Sequence, residues 1–342
     1  VNVCVLGAGV VGTAAAWYLR KAGHEVRVLD RQPAAGMETS FANGGQISVG
    51  HAEPWANPRA PAKVLKWLGR ADAPLLFRPR LDPAQWRWGL QFALECLPGR
   101  TRRNTEDLVR LGLYSRDCLR ALRAETGIAY DHLERGILHL YTEEREFEHA
   151  VESAGRMRAA GLELDVKSAA ECIAIEPALA GARVKLAGGT YSPRDESGDA
   201  HKFTQALAAR AAAAGVRFDY GTTIETLLPE GDVIQGVAVA RAGGGGETVR
   251  ADAFVLALGS YSALLARPLG IRLAIYPAKG YSVTLPVKDP AGAYSVSITD
   301  DSRKLVYSRL GDRLRIAGTA ELSGYDTSVN ALRCRAILRR AM

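Results

Sequence analysis

The chain has 342 residues, of which 47% are hydrophobic and 24% charged, the balance of a soluble globular protein with room for two domains. Its net charge of +7 is spread along the sequence instead of being gathered into one basic run, so no nucleic-acid partner is expected. The five cysteines are odd in number, scattered and never in C-x-x-C spacing, and no apolar run is long enough to span a bilayer; a disulfide framework, a zinc site or other metal site, and a membrane-spanning fold are not expected.

Residues 1–6 are an apolar run of strand length that begins without a charged leader, from which a cytoplasmic location is expected. Gly7-Ala8-Gly9-Val10-Val11-Gly12 follows and fits G-x-G-x-x-G. Residues 13–22 then read as a helix stopped by Gly23, and 26–29 as a second strand ending at Asp30. Each part has a task in holding a dinucleotide. Gly7 permits the tight turn, Gly9 lets the backbone approach a pyrophosphate, Gly12 lets helix and strand pack closely, and Asp30 is placed to accept from ribose hydroxyls.

Residues 33–61 are rich in Gly, Pro, Asn and Ser, and they interrupt the doubly wound pattern. Helical periodicity dominates 62–126, with Asn104-Thr105-Glu106 as a helix start and Gly127 as a stop. Within it, Arg78, Arg80, Arg87, Arg100, Arg102 and Arg103 are interleaved with Trp67, Trp86 and Trp88. The ordinary reading is a solvated amphipathic face, and peripheral contact with the inner face of the plasma membrane is the alternative. Residues 136–141 are strand-like, 143–160 charged and helical, 162–166 a strand, and 168–175 a short helix closed before Pro177.

An alanine-rich helix is expected at 201–214, then a strand at 216–220. Runs at 222–228, 233–241 and 248–250 make a meander, and its four glycines at 243–246 read as a hairpin tip because no helix follows them. Residues 251–257 form a buried strand that ends in Leu258-Gly259-Ser260. Strands after Ile271 and at 294–298, 305–310 and 313–317 suggest an antiparallel sheet, and an Arg-rich helix occupies 328–342.

The expected fold class is α/β. A split Rossmann-like cofactor domain (1–60, 176–265 and 328–342) is joined to a second α+β substrate domain built on an antiparallel sheet (61–175 and 266–327). Such a split points to FAD, since a nicotinamide domain built from contiguous repeats would not spend two hundred residues elsewhere between its strands.

Several long strings carry a family resemblance: ANGGQIS at 42–48, YSRDCLRALRAETGI at 114–128, DESGD at 195–199, LGSYS at 258–262 and YPAKGYS at 276–282. With them the chain resembles the FAD-dependent D-amino acid oxidoreductase superfamily, and within it the bacterial D-amino acid dehydrogenase branch. The resemblance implies noncovalent FAD, oxidative deamination of a small-molecule D-amino acid to a 2-oxo acid and ammonia, and electron delivery to a quinone or respiratory acceptor. It implies that Leu6, Gly7, Ala8, Gly9, Val10, Val11 and Gly12 hold the pyrophosphate and that Asp30 and Arg31 lie at the adenosine. Thr39, Ser40, Asn43, Gly44, Gln46 and Ile47 would run toward the flavin, Ile224 would meet the adenine through its backbone, and Ala257, Leu258, Gly259 and Ser260 would cover the other side.

For the substrate pocket the candidates are His51, Lys279, Tyr281 and Arg309. Family members continue beyond the position of Met342 into a G-x-R-P segment whose arginine binds the substrate carboxylate, and the chain as written is therefore expected to hold FAD weakly or turn over poorly. Two other functions fit the same features: an oxidase or dehydrogenase for glycine, sarcosine or D-hydroxyproline, and a noncatalytic remnant that keeps only nucleotide binding.

Overall fold

The computed structural model describes residues 1–70, 73–182 and 184–341, so the expected helix end at Met342 and the part of the expected 62–126 helix at 71–72 lie outside the described residues. By their contacts the residues form two units: Val1–Asn43 with Glu125–Tyr130 and Asp199–Tyr276, and Gly44–Ala124 with Asp131–Gly198 and Pro277–Met342.

The first unit is built on strand β1 (Asn2–Leu6), helix α1 (Val10–Lys21) and strand β2 (Glu25–Leu29). Four parallel strands lie in the order Ala253–Leu256, β1, β2, Arg217–Asp219. Val3, Cys4, Val5 and Leu6 are all buried, as a strand covered on both faces requires. On one face α1 and the helix Ala200–Ala213 supply small residues, Ala16, Ala208 and Ala211, against Val5, Val26 and Val28. On the other, the meander Thr222–Glu230, Val233–Arg241 and Gly246–Arg250 sets Val237, Val239 and Val249 against Cys4, Leu6 and Leu29. The run of glycines is a hairpin tip, with the Gly244 amide donating to the Arg241 carbonyl. Ala253–Leu256 returns to pair in parallel with β1, Val5 opposite Val255, so the cofactor fold is split in sequence as expected.

The second unit centres on an eight-stranded sheet with the path Lys279–Pro286, Arg313–Leu322, Leu305–Leu310, Ser297–Asp300, Ile137–Tyr141, Gly188–Ser192, Asp165–Ser168, and Leu75–Phe77 beside Arg313–Leu322. Most pairs are antiparallel, but Ser297–Asp300 with Ile137–Tyr141 and Arg313–Leu322 with Leu75–Phe77 are parallel. Leu138, Leu140, Ile298, Leu305, Ile316 and Ile337 form its core. A separate cluster, Val49, Val109, Ala154, Met157, Leu162 and Leu164, binds the helices Pro98–Thr126 and Glu144–Ala159 to the segment after Gly44.

Three differences from the expected organisation have clear causes. The long helical region is three helices, Ala60–Trp67, Pro83–Glu95 and Pro98–Thr126; each carries a proline in its first turn or at its first position, and the last starts six residues before Asn104. The final helix, Ala331–Ala341, groups with the second unit, because Ile337 is fully buried in the core with Tyr281. The segment 44–60 joins the same unit through Val49 and Ala52.

Candidate functional site

The C-terminal ends of β1, β2 and Ala253–Leu256 lie side by side in one parallel sheet, which is where open α/β sheets bind ligands. Gly7 has φ +108°, and a Cβ there would lie 2.6 Å from the Ala257 carbonyl oxygen. A Cβ on Gly12 would lie 1.9 Å from the Gly7 carbonyl oxygen and 3.2 Å from Ala257 Cβ. Gly9 is different: the nearest atom to its Cβ position is Ser40 Oγ at 3.9 Å. Glycine at 7 and 12 is therefore required by the fold, whereas at 9 the chain itself leaves room.

Helix α1 begins after Gly9 with no side-chain cap and no acid in its first turn. Its N-terminal partial positive charge is left for an anion. The Val10 amide donates to Ser40 Oγ at 3.1 Å, while the Val11 side chain is exposed. Asp30 Oδ2 accepts from the Ala8 amide at 2.6 Å and Oδ1 from the Gln32 amide at 2.8 Å. Burial raises the Asp30 pKa above the ordinary carboxylate value, and these two amides oppose the shift. Arg31 Nε donates to Glu38 Oε1 at 2.6 Å, and its guanidinium lies 4.1 Å from the Tyr261 ring centroid, next to Gly259 and Ser260. Thus Leu6 to Gly12, Asp30, Arg31, Ser40 and Ala257 to Ser260 converge, around a helix start whose N-cap residue offers no side chain and a space that a Cβ would fill. These features fit a dinucleotide. Thr39 is exposed beside Ser40, Asn43 ends the segment, and Ile224 pairs with Val239 in the meander with its side chain against the core.

The other candidates belong to the second unit. The Gly44 carbonyl accepts from Ser308 Oγ at 2.7 Å; Gln46 Nε2 donates to Ser297 Oγ at 2.9 Å and its Oε1 accepts from Thr299 Oγ1 at 3.2 Å. Ile47 pairs with Glu196. His51 borders a cleft of about 270 Å³ that Ser48, Val49, Leu108, Leu111 and Gly112 also line. The loop leading to it is pinned by buried Asp195, whose Oδ2 accepts from the Gly50 amide at 2.7 Å. Arg309 Nε donates to the Gly311 carbonyl at 2.8 Å.

Lys279 and Tyr281 have internal partners. The Tyr281 hydroxyl donates to Glu321 Oε2 at 2.8 Å, and burial together with that carboxylate pushes its pKa up to about 12. Lys279 Nζ donates to the Ser328 carbonyl at 2.9 Å and lies 3.9 Å from Glu321 Oε2. Both therefore support Glu321, a buried carboxylate that sequence inspection missed because nothing in its neighbourhood marks a site. Asp195 and Glu196 were visible within DESGD, but their tasks were not. Glu196 Oε1 accepts from Arg120 Nε at 2.5 Å and Oε2 from Arg123 Nη1 at 2.6 Å, which ties the Pro98–Thr126 helix to the short strand Glu196–Ser197.

Among the described residues, no helix is long and apolar enough to cross a membrane. Residues 2–342 match the model of a family described as FAD dependent oxidoreductase. The chain is 60% identical over 339 residues to a protein named D-amino acid dehydrogenase from Dechloromonas aromatica, covering 99% of this chain and 81% of that one. A protein of the same name from Paramagnetospirillum magneticum is 61% identical over 341 residues, covering 99% and 80%. Among solved structures, glycine oxidase from Geobacillus kaustophilus superposes with a TM-score of 0.73 at 24% identity, over 99% of this chain and 76% of that one; that likeness speaks for the fold. With the converging glycines, the helix N-terminus beside them and a family match along nearly its whole length, the chain belongs to the FAD dependent oxidoreductase family.

Proposed function

We propose that this chain catalyses the oxidative deamination of D-amino acids to 2-oxo acids and ammonia, with a quinone or other respiratory carrier as electron acceptor. The observation that carries this reading is the 60% identity, along 99% of the chain, to a protein named D-amino acid dehydrogenase. When bound, FAD supplies the two-electron oxidation of the substrate Cα–H bond. The chain's own residues hold and orient. The amides at the start of α1 and the Gly9 space would take the pyrophosphate, and Asp30 would turn its carboxylate to the ribose. Ser40 and the Ala257 to Ser260 segment would fix the position of the nucleotide.

Of the candidate substrate contacts, Arg309 suits a carboxylate best, since one turn carbonyl occupies its Nε and its planar fork offers further donors. The released imino acid needs only water for hydrolysis. In the FAD-loaded protein under anaerobic conditions, D-alanine is expected to bleach the flavin at least about tenfold faster than glycine, sarcosine or D-hydroxyproline. Bleaching led by sarcosine or D-hydroxyproline would move the reading to an amine or imino acid oxidoreductase. No bleaching by any of the four would point to a noncatalytic nucleotide-binding protein.

A quinone dissolved in a membrane requires a surface that reaches it. On the helix Pro83–Glu95, Trp86, Leu90 and Leu94 share one face at i, i+4 and i+8 and are 55%, 65% and 45% exposed, with Leu97 just beyond at 53%. Arg87 follows Trp86 directly in the sequence, and Arg100, just past Leu97, is paired with Glu95 at 2.6 Å. An exposed apolar stripe among arginines matches the interfacial layer of an anionic bilayer and supports peripheral docking. The double variant Leu90→Glu/Leu94→Glu should bind anionic liposomes at least about tenfold more weakly, with stability changed by less than about 0.5 kcal/mol because both side chains face solvent. Cosedimentation that is unaltered in the variant removes this surface from the proposal.

A further inference from the structure

His51, His139 and Asp301 are far apart in sequence and meet in the second unit. One nitrogen from each imidazole and one carboxylate oxygen lie within 4.8 Å of one another. All three are held by regular or pinned backbone. His139 sits in the strand Ile137–Tyr141, opposite Thr299 of Ser297–Asp300, and the Asp301 amide donates to the Leu140 carbonyl at 3.1 Å just past the end of that pairing. His51 follows Gly50, whose amide is bound to Asp195, and its ring stacks on His139 with centroids 5.2 Å apart.

One detail distinguishes this from an ordinary buried hydrogen-bonded pair. His139 Nδ1 stands 3.3 Å from Asp301 Oδ2, beyond the usual range for an N–H to carboxylate bond. It equals the edge of a coordination tetrahedron with ligands at about 2.0–2.1 Å. The ligand nitrogen of His139 is therefore Nδ1, the one that faces Asp301 in a side chain only 3% exposed; Nε2 diverges from it around the ring and lies outside the set. Lys304 Nζ takes the other Asp301 oxygen, Oδ1, at 2.8 Å, and the Tyr141 hydroxyl also bonds this carboxylate, so it is held with Oδ2 facing His139 Nδ1.

We propose that His51, His139 and Asp301 form a binding site for a divalent transition-metal cation. Two imidazoles and one carboxylate favour the zinc, cobalt and nickel class over magnesium or calcium. His51 lines the cleft that Ser48, Ala52, Leu108 and Gly112 border, which puts one of the three donors at an open surface. Closing the set to bonding distance needs movement chiefly of the exposed His51 ring.

The test is titration of the FAD-loaded protein with Zn²⁺ by calorimetry, with Mg²⁺ as the comparison. One equivalent of Zn²⁺ is expected to bind and Mg²⁺ not to compete. His51→Gln and Asp301→Asn should each weaken Zn²⁺ binding at least about tenfold. His51 is at the surface, so its variant tests the site without disturbing the core, and an unchanged melting temperature checks that. Absence of a Zn²⁺ binding event, or binding of equal strength in His51→Gln and Asp301→Asn, overturns the proposal and leaves the three side chains as a metal-free polar cluster.

Discussion

Gly12→Ala should yield a protein that is destabilised by about 1–3 kcal/mol and purifies with little or no FAD, whereas Gly9→Ala should fold normally and lose only the cofactor. A methyl on residue 12 would occupy the position 1.9 Å from the Gly7 carbonyl oxygen, a backbone atom that cannot rotate away. Relief would require moving α1 off the sheet, and Ala257 Cβ at 3.2 Å narrows the direction in which it could go. At residue 9 the same methyl meets only Ser40 Oγ, at 3.9 Å, so the unliganded fold should accept it within about 0.5 kcal/mol. The methyl instead projects into the space proposed for the pyrophosphate, and an affinity loss of about a hundredfold is expected from losing close backbone approach. Flavin absorbance per protein and urea unfolding of the cofactor-free forms separate the two effects. Equal FAD content in Gly9→Ala and the parent chain would show that the space beside Gly9 is not the cofactor cradle.

Glu321→Gln is the second large effect, a loss of about 3 kcal/mol in stability at neutral pH. Glu321 is 2% exposed; Arg78 Nε donates to its Oε1 at 2.6 Å and the Tyr281 hydroxyl to its Oε2 at 2.8 Å. Arg333, with no exposed surface at all, lies 3.9 Å away and is pinned by the Ala320 carbonyl at 2.9 Å. Amide substitution preserves shape but removes a negative charge that compensates a buried guanidinium. Burial opposes ionisation of Glu321, yet its hydroxyl and cationic partners prevail and hold its pKa below the ordinary glutamate value of 4.5. A carboxylate with a depressed folded-state pKa contributes stability above its unfolded pKa and loses it as pH falls through the folded one. The gap between parent and variant should therefore be full at neutral pH and shrink below about pH 4.5. Urea melts across that range check it, and equal stability at neutral pH would refute the role given to Glu321.

The legible parts of this molecule are those in which local sequence carries its own geometry. Strand, glycines, helix and acid within thirty residues announce a nucleotide cradle, because each residue type answers a constraint imposed by its immediate neighbours. The returning strand at Ala253–Leu256 was visible for a similar reason: a short apolar run ending in glycine. The second unit was harder to read. Its polar groups are assembled across strands whose order departs from sequence order, so Lys279 and Tyr281 look like pocket residues until Glu321 and Arg333 are placed beside them. His139 was hidden in a strand that is otherwise apolar, and Asp301 in a polar turn. The arginine and tryptophan region was legible in composition, but only the helix boundaries set by Pro83 and Pro98 put Trp86, Leu90 and Leu94 on one face.

The pairing of β1 with Ala253–Leu256 also fixes when the cradle can exist during synthesis. Val5 emerges from the ribosome about 250 residues before Val255, its neighbour in the sheet. At about 5–20 residues per second, the glycine turn waits on the order of ten to fifty seconds for the Ala257 backbone against which Gly7 and Gly12 close. Until then β1 has an open edge rich in valine and leucine, and β2 alone on its other side. A cradle that needs both β1 and the Ala257 backbone is thus completed late, and β1 is the segment most exposed to mispairing while it waits.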